Sequence, residues 1–232
     1  MAYQKPFENF ATDVIHAGQE PEQWTSRMVV PAITMSTTYK QEKPGVLGNF
    51  IKNLQTLLFS INFKIFFKIF LACDRYEYSR GGNPTRDCLE KCLAKIEGGF
   101  GALAFASGLA ATTAICQTFL NKGDHIVTSD DVYGGTNRLF SRILSKMGVT
   151  ASFVDLENLD KVREAFKPET KLVWIETPTN PTMKVIDIQE VTKIAREKGV
   201  LSCVDNTFIQ SWLKISLFFI NPDLSSGLVS VF

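Results

Sequence analysis

The sequence predicts an α/β domain, incomplete, with a mostly parallel sheet carrying helices on both faces and an extended arm before it. Three observations point there. Short apolar runs of strand length recur at 125–130 (HIVTSD), 150–155 (TASFVD), 171–177 (KLVWIET) and 200–206 (VLSCVDN), rich in β-branched and aromatic residues. Helical patterns lie between them, at 159–166 and 188–198. Polar groups close the later runs, Glu176 in one and Asp205 in another, on what would be one rim. Strands alternating with helices imply parallel pairing, and such sheets bind ligands beyond the carboxyl ends of their strands.

Taken in order, residues 1–45 carry few helix signals and read as an extended arm. The start MAYQKPFENF lacks an apolar stretch behind a basic beginning, so no signal peptide is expected. Residues 46–73 form an atypical apolar segment crowded with Phe, Ile, Leu, Asn and Lys; Lys64 and Lys68 interrupt it, leaving too short a run to span a bilayer. It reads either as a buried or interfacial helix or as translated non-coding sequence; the similarly composed tail at 209–232 reads as the latter. Between them, 74–208 is one partial domain.

Within that domain, 83–99 (NPTRDCLEKCLAKIEGG) predicts a helix with Asn83 as N-cap, Pro84 at the first position, Leu89, Leu93 and Ile96 on its apolar face and a Gly-Gly end. Residues 104–119 begin with small residues and become helical. The helix from 188 is the best signed. Asp187 and Glu190 form a capping box, Ile188, Val191, Ile194 and Ala195 make the buried stripe, and Gly199 is the stop.

Composition narrows the function classes. The 232 residues are 45% hydrophobic, enough for a full core. A net charge of +1 from 25 basic and 24 acidic residues offers no field for nucleic acid or an anionic membrane. A small molecule or another copy of the chain is the expected partner. Five cysteines, at 73, 88, 92, 116 and 203, include no CxxC, and with only two histidines there is neither a zinc quartet nor a disulfide framework. A reducing, cytoplasmic setting and no metal are expected.

Four segments could carry chemistry. In FASGLAA, Ser107, Gly108 and Leu109 open a helix whose free N–H groups and dipole suit a phosphate, although small residues there also serve packing. YEYSRGGNPTR holds Tyr78 and Arg80, the latter a five-donor fork for phosphate or carboxylate; the stretch also reads as a surface loop with an ordinary helix cap. In DDVYGGTNR, Tyr133 and Arg138 follow a strand, where the tyrosine can stack on an aromatic ligand or simply cover the sheet end. ETPTNP places Glu176 and Asn180 on the rim that also bears Asp205. Convergence of four segments weighs more than any one of them.

In this order and spacing, YSRGGNPTR, FASGLAA, DDVYGGTNR, ETPTNPT and VDNTF resemble the pyridoxal-phosphate enzymes of cysteine and methionine metabolism, and FATDVIHAGQEPEQWTSRMVVPAITMSTTYKQ looks most like the animal, cystathionine-cleaving branch. The resemblance covers about residues 7–45 and 75–208. It implies the large domain of a fold type I transferase and a carbon–sulfur lyase that splits L-cystathionine into L-cysteine, 2-oxobutanoate and ammonia. The alternatives are a lyase acting on methionine, the related gamma-synthase, or a non-catalytic fragment able to pair with a longer subunit.

By the same resemblance, Gly108 and Leu109 give N–H groups to the phosphate of pyridoxal 5'-phosphate, Tyr133 stacks on its ring and handles protons, and Asp205 pairs with the ring nitrogen. Asn180 touches the phenolic oxygen, with Glu176 and Arg138 in support. Tyr78 and Arg80 reach the cofactor of a neighbouring subunit in a homotetramer. The family's Schiff-base lysine lies some two dozen residues beyond the aspartate. Here the only later lysine is Lys214, in SWLKIS, too soon after Asp205. This polypeptide is therefore expected to be inactive alone.

Overall fold

The computed structural model describes residues 9–41, 76–97, 99, 101–209 and 228–231. The segment at 46–73, the expected arm boundary at 45 and most of the tail lie outside these residues.

Helix α1 (Phe10–His16) and a 3-10 turn at Pro21–Gln23 come first, then helix α2 (Pro84–Ile96), strand β1 (Gly101–Ala104) and helix α3 (Gly108–Phe119). Strand β2 (His125–Ser129) leads to the short helix α4 (Gly134–Arg138), whose path continues as a π turn over Leu139–Ile143 and a 3-10 turn over Leu144–Met147. Strand β3 (Thr150–Val154), helix α5 (Leu159–Ala165), strand β4 (Thr170–Glu176), helix α6 (Ile188–Glu197) and strand β5 (Leu201–Asp205) follow. Strand β6 (Leu228–Val231) pairs in parallel with β1 as a separate ribbon. The other four strands form one all-parallel sheet in the order β3-β2-β4-β5.

Each of the four expected runs is a strand of this sheet. Alternation along them divides two cores, since successive side chains of a strand point to opposite faces. Ile126, Leu172, Trp174 and Cys203 pack against Ile115 and Cys116 of α3 and against Leu139, Phe140 and Leu144. Val127, Val173, Ile175 and Val204 pack on the other face against Val162 of α5 and Val191, Ile194 and Ala195 of α6. Burial on both faces explains why β4 reads as a nearly continuous apolar run. Trp174 is fully buried and meets Phe140 edge-on, with ring centroids 5.6 Å apart.

This division positions the site. The chain leaves β2 toward one face, where α4 lies, and leaves the adjacent β4 toward the other, where α6 lies. Neighbouring strands whose connections part in this way open a crevice at their carboxyl ends.

The helix signals of α6 hold except for half of the capping box: Asp187 accepts the Glu190 N–H at 3.2 Å while the Glu190 carboxylate turns to Lys193, Val191, Ile194 and Ala195 are buried with Ile188 packed beside them, and Gly199 has φ +66°. Asn83 caps α2 by accepting the N–H groups of Thr85 and Arg86. The buried stripe of α2 differs from expectation. Cys88, Cys92 and Ile96 face inward and Leu89 is exposed, because the helix buries Glu90 as well, whose Oε1 accepts the Ala104 N–H of β1 at 2.8 Å and pairs with Arg86 at 3.2 Å.

The arm also differs, since it opens with α1. This helix has no side-chain cap; α2 holds it instead. Cys92 Sγ donates to the Val14 carbonyl at 3.3 Å, and Gly18, at φ +74°, lies where a Cβ would stand 2.6 Å from Lys91 Cβ. Further on the arm is extended and bridges antiparallel from Thr38 to Tyr78.

Candidate active site

The carboxyl ends of β2, β4 and β5 and the start of α3 enclose a cavity of about 360 Å³, within the range of small-ligand sites. Gly108, Leu109, Tyr133, Glu176, Asn180 and Asp205 all line it, together with Ser107, Thr112, Thr136, Pro178, Thr207 and Phe208.

One end suits an anion. Ser107 caps α3 by accepting the Ala110 N–H at 3.2 Å, and its carbonyl takes the Ala111 N–H. The N–H groups of Gly108 and Leu109, in the first turn, have no carbonyl within the helix to bond, and both residues line the cavity. The other end carries negative charge. Asp205 is half-buried at the end of β5, and its Oδ1 accepts the Thr207 N–H at 3.2 Å and the Thr207 hydroxyl at 2.6 Å. No described residue bonds its second oxygen, which is left free to accept from a ligand.

Tyr133 is the N-cap of α4 and stays half exposed. Its ring folds back over Gly135, where an added Cβ would stand 2.4 Å from Tyr133 Cε1 and 3.0 Å from Leu109 Cδ1. Only a residue without Cβ lets the ring lie there.

Glu176 is 4% exposed at the end of β4 and stands in register with Asp205. The Tyr133 N–H bonds its two oxygens at 2.9 and 3.0 Å, and the Asn180 N–H bonds Oε1 at 3.1 Å. Burial pushes its carboxyl up to about 7, aided by the charges of Asp205 and Asp131 and opposed by those two N–H bonds. Beneath the same loops, Asp131 accepts from the Thr179 and Thr182 hydroxyls and from the Thr182 N–H at 3.1 Å.

Three sequence candidates stand outside the cavity. Arg138 is exposed at the last position of α4, since five residues along a helix from Tyr133 turn it well away from that residue's direction. Tyr78 and Arg80 lie beside the arm, the guanidinium 5.1 Å from the tyrosine ring centroid. Conversely, Thr207 and Asp131 are absent from the sequence-derived set; the Asp-Asn-Thr order is a recognisable side-chain turn signal for the first, whereas the partners of Asp131 lie about fifty residues away. Among the described residues, no group of His, Cys, Asp or Glu could hold a metal and no helix is long and apolar enough to cross a membrane.

A family model described as Cys/Met metabolism PLP-dependent enzyme matches residues 11–219. Cystathionine gamma-lyase of Homo sapiens is 48% identical over 209 residues, which are 90% of this chain and 45% of that protein. A probable cystathionine gamma-synthase of Herpetosiphon aurantiacus is 43% identical over 86% of this chain and 54% of its own. The crystal structure of cystathionine gamma-lyase from Lactobacillus plantarum complexed with L-serine superposes with a TM-score of 0.72 at 36% identity, covering 88% of this chain and 46% of that one. The chain thus spans about half the length of these relatives. It belongs to the pyridoxal-phosphate-dependent enzymes of cysteine and methionine metabolism.

The cavity fits that cofactor. Pyridoxal phosphate has an anionic phosphate, an aromatic ring and a basic ring nitrogen, and the cavity offers a helix start, a half-exposed tyrosine and a carboxylate with one free oxygen.

Proposed function

We propose that these residues serve a cystathionine gamma-lyase, which splits L-cystathionine into L-cysteine, 2-oxobutanoate and ammonia. The observation that carries the reading is the single cavity in which the start of α3, Tyr133, Asn180 and Asp205 converge, in a chain so similar to proteins of that name. When bound, pyridoxal phosphate supplies an electron sink for the carbanion formed at the substrate's α carbon.

The chain's own residues would divide the work. Gly108 and Leu109 hold the phosphate through their N–H groups, and Asp205 accepts a hydrogen bond from the ring nitrogen and keeps it protonated. Tyr133 stacks on the ring and moves a proton at its phenolic oxygen; Asn180 bonds the phenolic oxygen of the ring. Glu176 supports these loops, with Arg138 at the edge. Tyr78 and Arg80, exposed beside the arm, serve a neighbouring subunit's cofactor in a cytoplasmic homotetramer.

We further propose that the 232-residue polypeptide alone has no lyase activity. Lys214 has a serine three residues before it but stands within ten residues of Asp205, against some two dozen in the family pattern, and no other lysine follows. The gamma-synthase named among the relatives is the second reading.

Two experiments decide. The polypeptide as given, with saturating pyridoxal phosphate and L-cystathionine, should release no 2-oxobutanoate, and borohydride should fix no cofactor on a unique lysine; turnover with stoichiometric labelling of Lys214 refutes this. The same residues without 46–73, continued by the carboxyl half of an animal relative, should release cysteine and 2-oxobutanoate from cystathionine. Consumption of an acylated homoserine with cysteine, and not of cystathionine, would establish the synthase instead.

A further inference from the structure

A buried carboxylate ordinarily has a cation beside it, because removing a charge from water is costly unless it is paired. Glu176 has none. The groups bonded to it are the backbone N–H of Tyr133, from the loop after β2, and the backbone N–H of Asn180, from the loop after β4. The charged groups facing it are Asp205 on β5 and Asp131 after β2, both acidic. Asp131 is satisfied by Thr179 and Thr182, and the nearby Lys184 pairs with Asp130 and Asp155 at 3.3 and 3.8 Å. The start of α3, across the cavity, brings no titratable side chain. Glu176 and Asp205, in register on adjacent parallel strands, therefore form a negative rim without a counter-ion among the described residues.

We propose that Glu176 is a positioning residue linked to ligand charge: it ties the loop of Tyr133 to the loop of Asn180, and it releases its proton to solvent when a cationic ring nitrogen settles against Asp205. The inference rests on the reading of the cavity as a pyridoxal-phosphate site.

The two-loop tie is stronger in the charged form. With a proton on Oε2 that oxygen becomes a donor facing a donor and the second branch from Tyr133 is lost, while Oε1 keeps the Tyr133 and Asn180 N–H groups only as a neutral, weaker acceptor. With no ligand, burial and then the charge of Asp205 push Glu176 up to about 7, so near neutrality a large fraction is protonated and the tie is weakened. A cation beside Asp205 offsets that repulsion and returns Glu176 to the carboxylate. Tyr133 and Asn180 are then fixed together, in the state in which the ring is present. By linkage the same coupling makes ligand binding tighter as pH rises toward and through about 7.

The probe is 4'-deoxypyridoxine 5'-phosphate, which keeps the ring nitrogen and the phosphate but has a methyl group that cannot condense with a lysine. Its dissociation constant is measured from about pH 6 to about pH 8.5 for the wild-type chain and for Glu176→Gln. Ionisations of the ligand are common to both proteins, so the ratio of constants isolates residue 176. The ratio should be near one at the acid end and rise to roughly tenfold at the alkaline end, the effect of about one pH unit of coupling. A ratio that does not change with pH makes Glu176 a structural prop and overturns the inference while leaving the cofactor reading intact. Failure of the wild-type chain to bind the probe at any pH removes the cofactor reading and the inference together. Should Glu176→Gln not fold, carboxyl-13C labelling of glutamate in the wild-type chain replaces it. A Glu176 midpoint that falls on adding the probe supports the linkage; an unmoved midpoint overturns it.

Discussion

Replacing Asp205 by alanine removes a carboxylate that is held before any ligand arrives. Thr207 bonds Oδ1 through both its N–H and its hydroxyl, so the free oxygen is already fixed at the cavity wall. A hydrogen bond to a charged group contributes about 1.5–3 kcal/mol. Two features of the structure place Asp205 toward the lower part of that range. The residue is only half-buried, so solvent screens part of the interaction. Its removal also relieves the repulsion on Glu176, which becomes more fully charged and partly replaces it. About 1.5–2 kcal/mol remains, or roughly ten- to thirtyfold in affinity for 4'-deoxypyridoxine 5'-phosphate.

The assay is fluorescence titration with that analogue near pH 8, beside Asp205→Asn and Glu164→Ala. The asparagine variant keeps an acceptor for Thr207 but lacks charge, so it should resemble alanine. Glu164, exposed on α5 and away from the cavity, should change affinity less than about twofold. Asp205→Ala binding within about twofold of wild type, with its thermal midpoint unchanged, would refute the role given to the carboxylate. In a chain completed by the carboxyl half, the same substitution should lower kcat at least about 10²-fold at matched cofactor occupancy, the usual order for removing a preorganised charge.

Gly135→Ala should weaken analogue binding roughly tenfold, because the new Cβ displaces the Tyr133 ring, whereas Gly134→Ala, with nothing within 4 Å of its Cβ, should leave it unchanged; titration of both checks this. His125 is buried between Thr170 Oγ1 and Ser152 Oγ, each at 2.8 Å, and burial followed by the Lys167 charge pushes its pKa down, against Glu169. Its contribution to stability is therefore present above about pH 6.5 and lost as pH falls through the folded value. Glu176, pushed up to about 7, acts oppositely, its contribution being present at low pH and lost as pH rises through that value. Thermal midpoints from about pH 5 to about pH 7.5 should thus fall more steeply on acidification in Glu176→Gln than in the wild type, and less steeply once His125 is also replaced by asparagine. Asp187→Ala, which removes the cap of α6, should cost about 1 kcal/mol in urea unfolding and leave analogue affinity unchanged.

What could be read from the sequence was what is local. Helix α6 carries its cap, apolar stripe and stop within thirteen residues, 187 to 199, and folds as they indicate. Strands β2, β4 and β5 are apolar runs because both faces are buried, while β3, at the edge, is only partly covered; that too is a local signal. By contrast, α1 has no cap of its own and exists because α2 offers Cys92 and a surface that Gly18 can approach. Strand β1, four residues of Gly, Ala and Leu, has weak strand propensity and pairs with residues 228–231, more than a hundred positions later. Neither signal lies near the element it governs.

The site divides along the same line. Tyr133, Asn180 and Asp205 stand out by residue type at the ends of strands, and the cavity brings them together. What holds them is written elsewhere in the chain: Glu176 reaches Tyr133 across 43 positions and Asp205 only through strand register. A glutamate after an apolar run reads in sequence as one more polar group on a rim. Its place beneath two loops, facing acids and with no cation beside it among the described residues, makes its charge depend on what occupies the cavity. Removing the neighbouring charge in Asp205→Asn should therefore lower the pH at which Glu176 titrates in the ligand-free chain, as read by carboxyl-13C shifts. An unchanged midpoint would mean that burial alone governs Glu176, and the coupling between the rim and its ligand would have no electrostatic basis.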